Sequence, residues 1–304
     1  MNPELAKIFI IGTPFLKSLY FDSLNHVNNM NKFFQKIQDS KYFYKYNGRD
    51  HLILADHFDL SLWGSFFQNT EIKQKFINIF KNTTCTRYEV YNKKILTKNK
   101  NIILSLLDGE WQFSKYNIII PYNPTEKKII NPDYNDWKKR KNLIFYHISN
   151  REFAHGATFI RHLPIRLNLN NCSIGYDISK EEWIENFKNS KFGLVIRGDT
   201  PGSHAFINSI SFGCIPVIIS NLFKYIALPF KNIINIKEYS IIINENDFIN
   251  NPLILIETLF KISKEEIKYK LNKLKDVQKI MLLDHKKSKT CNLILDEFIK
   301  IKRF

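Results

Sequence analysis

FGLVIRGDTPGSHAFINSISFGCIPVIISN, residues 192–221, is the stretch that decides the fold. It opens on an apolar run, 192–196, short enough for a strand buried on both faces. Arg197 closes that run, and Gly198 and Gly202 bracket a tight turn. A helix is expected over 203–212, with Thr200 or Ser203 as N-cap, Pro201 in its first turn and Gly213 at its end. A second apolar run, 215–219, reads as the next strand. Strand, helix and strand in such close succession indicate a parallel βαβ unit, because parallel neighbours need a crossover between them.

Such a unit has a chemical consequence. It places the Arg197 guanidinium and several backbone N–H groups at the carboxyl end of a parallel strand. Open α/β sheets bind ligands there, and helix N-termini attract phosphate. Two readings follow from the residues. Arg197 contacts a phosphate, or it pairs with Asp199 while the glycines only shape the turn.

Outward from this core, strands are expected at 142–146 and 239–243, and helices at 180–189 and 247–262. Trp183, Ile184 and Phe187 share one face of the first of these helices. Residues 263–284 and 287–302 read as long, Lys-rich amphipathic helices that close the structure. The first half carries candidate strands at 8–11, 51–54, 102–106 and 118–121, and helical spacing at 29–37 and 71–80. Residues 123–141 are polar, contain Pro124 and Pro132 and show no clean period, which suits an interdomain linker. The expected division is 1–130 for an N-terminal domain and 131–304 for a C-terminal one.

With 44% hydrophobic residues, 25 Phe and 14 Tyr in 304 residues, the chain can bury a full core, which argues against global disorder. A formal net charge of +16 favours an anionic partner such as a nucleotide diphosphate, an acidic glycan, nucleic acid or a membrane surface; a solvated lysine surface is the plainer reading. Cys85, Cys172, Cys214 and Cys291 are scattered without a C-x-x-C pair, so neither a zinc site nor a disulfide framework is expected. No apolar run approaches the roughly 18–20 residues that span a bilayer. The first residues lack a signal-peptide pattern, and cytoplasmic localisation is the expectation.

GDTPGSHAFINSISFGCIPVIISN at 198–221, followed by LPF at 228–230 and YSIIINENDF at 239–248, resembles the donor-binding core of the exostosin family, glycosyltransferase family 47. GCIPVII at 213–219 is its most specific part. Upstream, YNGRDH at 46–51 resembles that family's G-x-D-H element, NIIIPY at 117–122 its strand ending in Pro-Tyr, and NLIFY at 142–146 the strand opening its second domain. These motifs occur in the family's order.

The resemblance implies an α/β protein of GT-B architecture, two Rossmann-like domains facing a cleft, acting as a glycosyltransferase. Family members invert the anomeric configuration and generally use UDP-sugars without a D-x-D-bound metal. This sequence has no D-x-D. The implied co-substrate is therefore a nucleotide-sugar, the acceptor a glycan or glycoprotein, and no further cofactor or metal is expected. By position, Arg197 contacts the diphosphate, Ser203 caps the helix beside it and Glu245 binds the ribose or donor sugar, with Thr200, Gly202, His204 and Asn208 in the same donor site. An ordinary loop glutamate is the plainer reading of Glu245. The chain departs from the family where a basic residue and then an acidic one are usual in this helix, having Ala205 beside His204 and then Asn208. Altered donor choice and loss of activity both fit that departure.

Inverting transfer needs a base for the acceptor hydroxyl, and Asp50, His51 and His57 are the candidates flanking the 51–54 strand. Asp50 and His51 could instead hydrogen-bond each other to fix a loop. His155, Arg161 and Arg166 form a basic cluster suited to a phosphate or an acidic acceptor, or simply a solvated loop. Two other classes remain open: a basic polyanion- or nucleic-acid-binding protein, against which stands the absence of a nucleic-acid motif, and an inactive partner subunit.

Overall fold

A computed structural model of the chain describes residues 3–12, 23–54, 70–87, 116–149, 156–198 and 200–302. The chain divides into two α/β units, Met1–Ile120 with Ile294–Phe304, and Pro121–Leu293. The division falls before the expected boundary at residue 130, and the last residues group with the first unit.

The first unit carries parallel strands β1 (Phe9–Gly12), β2 (His51–Leu54), β3 (Thr84–Arg87) and β4 (Asn117–Ile119) in that spatial order. Its helices are α1 (His26–Gln38), α2 (Lys41–Lys45) and α3 (Thr70–Phe80). Successive strand residues point to opposite faces. Ile53 and Cys85 accordingly bury against Met30 and Phe34 of α1 and Phe80 of α3. Leu52 and Ile118 bury against Phe298, from the C-terminal end of the chain. Strand β3, TCTR, has no apolar run to announce it, yet all four residues are buried. The expected strand at 102–106 lies outside the described residues.

The second unit contains β5 (Asn142–His147), β6 (Ser173–Gly175), β7 (Ser190–Ile196), β8 (Ile215–Ile219) and β9 (Ile241–Ile242). They form one parallel sheet in the order β6-β5-β7-β8-β9. The chain moves outward from β5 to β6, then returns to the other side of β5 with β7. That reversal puts a topological switch point between β5 and β7. Helices α4 (Tyr134–Lys139), α5 (Leu163–Arg166), α6 (Lys180–Lys188), α7 (His204–Ser211), α8 (Phe223–Ile226), α9 (Glu245–Asn250), α10 (Ile254–Phe260) and α11 (Lys264–Met281) belong to this unit. The last helix, α12 (Thr290–Lys302), supplies Phe298 to the first unit.

Every residue of β8 is buried, as expected for a central parallel strand covered on both faces. Phe192, Leu194 and Ile196 of β7 face Leu255, Leu259, Ile267 and Leu271 of α10 and α11. The other face holds Phe145, Phe187, Phe212 and Cys214. There α7 lies so close to β7 that a Cβ on Gly193 would collide with the Ser209 side chain, standing 2.8 Å from its Cβ and closer still to its Oγ. Gly193→Ala is therefore expected to lower stability by about 1–3 kcal/mol through overpacking. An unshifted denaturation midpoint would contradict that close approach.

Three sequence expectations are corrected. Pro201 precedes α7 instead of entering its first turn, because Ser203 is the N-cap, extended at φ −155°. The helix expected over 247–262 is two helices, since Pro252 has no N–H and disfavours helical geometry at Asn251, whose ψ is 89°. The polar segment 123–141 is no free linker. Its Ile130 N–H donates to Ser211 O at 2.8 Å, Gln278 Nε2 donates to Ile130 O at 2.8 Å, and α4 lies within it.

Candidate functional site

At the carboxyl end of β7, the backbone N–H of Arg197 still reaches Ile219 O of β8 at 3.4 Å. The side chain then turns into the protein, 7% exposed, and its Nε donates to Glu245 Oε1 at 2.5 Å. Glu245 is 2% exposed and opens α9. Its second oxygen accepts from Asn221 N at 3.4 Å, while its own N–H donates to Asn221 Oδ1 at 3.0 Å. One ion pair thus ties together the carboxyl ends of β7 and β8 and the start of α9. The two residues assigned to the donor are bound to each other, so each is positioned by its partner. Asp199, the alternative partner, lies outside the described residues.

The turn leading to α7 is held from the same neighbourhood. Gly198 N donates to Thr200 O at 3.1 Å, and Ser220 Oγ donates to Pro201 O at 3.1 Å. Ser203 Oγ accepts from Ala205 N at 3.3 Å and Ser203 O from Phe206 N at 3.1 Å, so this one residue ties down two N–H groups of the first turn of α7. Thr200 and Gly202 sit in this turn.

Across the switch point stands Arg161. It follows β5 in the chain, in a 3₁₀ segment spanning Gly156–His162. Its Nη1 lies 3.6 Å from where a Cβ on Gly198 would be, so it abuts the turn after β7. Among the described residues its buried Nε finds no hydrogen-bond partner. The buried Tyr146 hydroxyl, at the end of β5, donates to Arg161 O at 3.1 Å. Burial pushes that phenol above its ordinary pKa, and the Arg161 charge partly offsets this.

Next to it, His162 Nδ1 lies 3.0 Å from Tyr176 Oη, and desolvation, then the Arg161 and Arg166 charges, hold its pKa below the usual histidine value. Arg166 is exposed, and His155 lies outside the described residues.

His204, first in α7, remains exposed, with its ring centroid 4.3 Å from that of Tyr122. The protein crowded around it lowers its pKa by desolvation, against a backbone hydrogen bond to Asn123 that raises it. Asn208 is spent elsewhere. Its Oδ1 accepts from Thr125 N at 2.8 Å and its Nδ2 donates to Thr125 Oγ1 at 2.9 Å. An amide at this position clamps the incoming 121–132 segment, which gives Asn208 a structural reason independent of any ligand.

In the first unit, His51 Nδ1 and Asp50 Oδ1 are 2.8 Å apart and both side chains are buried. The imidazole stacks on Phe9 at 4.7 Å and meets Phe43 edge-on at 4.9 Å. Both residues lie at the amino end of β2, opposite to the end where parallel sheets bind ligands. His57 lies outside the described residues. No trio of His, Cys, Asp or Glu side chains among the described residues is arranged to hold a metal ion.

Sequence reasoning passed over Asn221, Ser220 and Thr125. The first two directly follow β8, so the rule about carboxyl ends of parallel strands could have found them. Thr125 had no such signal, because only the tertiary packing brings it to α7.

Residues 1–258 match the Exostosin GT47 domain. The chain belongs to the exostosin GT47 family. Exostosin-1a of Danio rerio is 30% identical over 156 residues, covering 47% of this chain and 20% of that protein. An Exostosin-1 homolog of Caenorhabditis elegans is 36% identical over 84 residues, 28% of this chain and 21% of that protein. Exostosin-1 of Bos taurus is 27% identical over 156 residues, 47% and 19% respectively. The chain thus spans about a fifth of the length of these curated exostosin relatives. Among its described residues no helix is long and apolar enough to cross a membrane.

Proposed function

We propose that this exostosin-family chain transfers a sugar, with inversion, from a nucleotide-sugar to a hydroxyl of a glycan or glycoprotein. The observation that carries the donor half is the pairing of Arg161 with the Gly198 turn across the β5/β7 switch point. A cation stands there beside the turn that leads into the amino end of α7, where the helix dipole adds positive potential for a diphosphate. UDP is the proposed nucleotide on family grounds. The unit carrying β5 to β9 is proposed as the donor half of a GT-B arrangement, and the other unit as the acceptor half.

In the reaction, negative charge develops on the departing diphosphate as the acceptor oxygen attacks the anomeric carbon. Arg161 and the helix dipole at the amino end of α7 would stabilise it, replacing a metal ion. Arg197 and Glu245 keep that turn in place, and a contact of Glu245 with a ribose or sugar hydroxyl is proposed on family grounds alone. For the base we favour His57, which follows the carboxyl end of β2 in the chain, over Asp50 and His51 at its amino end.

A thermal-shift series with UDP, UMP, uridine and UDP-sugars tests the donor reading. Ligand at about 100 times its dissociation constant adds roughly 2.7 kcal/mol, a readily seen shift. Transfer or donor hydrolysis should survive EDTA, and His57→Ala should lower turnover by about 10²–10⁴-fold with UDP binding intact. A strict need for added Mn²⁺ or Mg²⁺ would overturn the metal-independent mechanism.

A further inference from the structure

Arg161 meets the Gly198 turn from a weak support. Its carrier, the 3₁₀ segment Gly156–His162, belongs to a class of helix with poor hydrogen-bond geometry. Ile160 anchors the segment in the core, while the neighbouring Phe159 is 40% exposed. A guanidinium on such an element needs bracing. An arginine ordered only by its ligand loses rotamer freedom at that moment, and the affinity falls accordingly.

Two tyrosine hydroxyls brace it. The ring of Tyr146 lies in the same core cluster as Ile160, and its hydroxyl donates to Arg161 O at 3.1 Å. That hydroxyl also meets the arginine's side chain. Burial raises the phenol pKa, and the charge of Arg161 and a hydrogen bond with its side chain act against the rise. One phenol thus holds both the main chain and the side chain of Arg161, whose buried Nε is left without a hydrogen-bond partner beside the Gly198 turn.

The second hydroxyl belongs to Tyr176, which follows β6. It lies 3.0 Å from Nδ1 of His162, the residue after Arg161. Tyr176 is itself held by His147, the last residue of β5. The imidazole Nδ1 donates to Tyr176 O at 2.8 Å, and Nε2 lies 2.9 Å from Ser173 Oγ. Consecutive residues of β5 therefore brace consecutive residues of the 3₁₀ segment: Tyr146 acts on Arg161 directly, and His147 on His162 through Tyr176.

We propose that Tyr146 and Tyr176 are positioning residues of the donor site, their hydroxyls holding Arg161 against the Gly198 turn before a nucleotide diphosphate arrives. This role rests on the donor reading of Arg161 given above. Neither tyrosine touches the diphosphate, and each acts through the segment that carries the arginine.

Calorimetric titration of the whole chain with UDP and with uridine tests the role in Tyr146→Phe and Tyr176→Phe. Phenylalanine keeps the ring and removes only the oxygen. Each variant should bind UDP about 2- to 10-fold more weakly, the value of one neutral hydrogen bond, and uridine as the parent does. Adding Tyr146→Phe to Arg161→Ala should cost nothing further, because the hydroxyl acts only through the arginine. A tyrosine whose variant binds UDP normally has no such role. Equal losses for UDP and uridine, or losses that add in the double variant, would make the effect merely structural and overturn the proposal. Should Tyr146→Phe fail to fold, Tyr176→Phe decides alone, since Tyr176 stands at the surface. A parent that binds no UDP, or an Arg161→Ala variant with normal UDP affinity, removes the donor reading and this proposal with it. Dependence on Arg161 together with indifference to both hydroxyls removes this proposal and leaves the donor reading standing.

Discussion

Replacing Arg197 by alanine is expected to cost about 3–5 kcal/mol of stability, because it leaves the Glu245 carboxylate buried without its cation. Denaturant unfolding should show a lower midpoint at an unchanged slope. Glu245→Ala should do similar damage from the other side. The double variant Arg197→Met, Glu245→Leu should recover much of the loss, since an apolar pair of similar volume carries no buried charge. A variant Arg197→Ala as stable as the parent, yet unable to bind UDP, would instead show that Arg197 acts on the diphosphate directly.

The second large effect concerns Arg161. Arg161→Ala is expected to weaken UDP binding about 10- to 150-fold, the value of a charged hydrogen bond of roughly 1.5–3 kcal/mol. Uridine, which has no phosphate, should bind the variant and the parent alike. Arg161→Lys should recover only part of the loss, because an ammonium lacks the planar fork that grips two phosphate oxygens. Normal UDP affinity in Arg161→Ala would remove this residue from the donor site.

The two arginines show how far residue reading reaches. Both are visible as cations near the right strands, and Arg197, ending the apolar run 192–196, looks the better phosphate ligand. What no local pattern could show is that a carboxylate 48 positions later in the chain lies 2.5 Å from it. Conversely, Arg161 belongs to a short 3₁₀ segment without periodicity, and only the β5/β7 neighbourhood gives it meaning. Asn208 presents a similar contrast. As a departure from a family pattern it suggested altered chemistry, whereas its amide is engaged by Thr125.

By itself the sequence determined the parallel α/β class, most elements of the second unit and the exostosin resemblance. Apolar runs such as 192–196 and 215–219, the Ser203 cap and Gly213 at φ 62° are local devices, each specified within a few residues. Strand β3 escaped detection because TCTR has no hydrophobic period, although burial on the sheet makes it a strand. The strand order β6-β5-β7-β8-β9, the Arg197–Glu245 pair and the Arg161–Gly198 approach were decided only by tertiary structure. These depend on contacts between residues far apart in the chain, and such contacts leave no mark on local spacing.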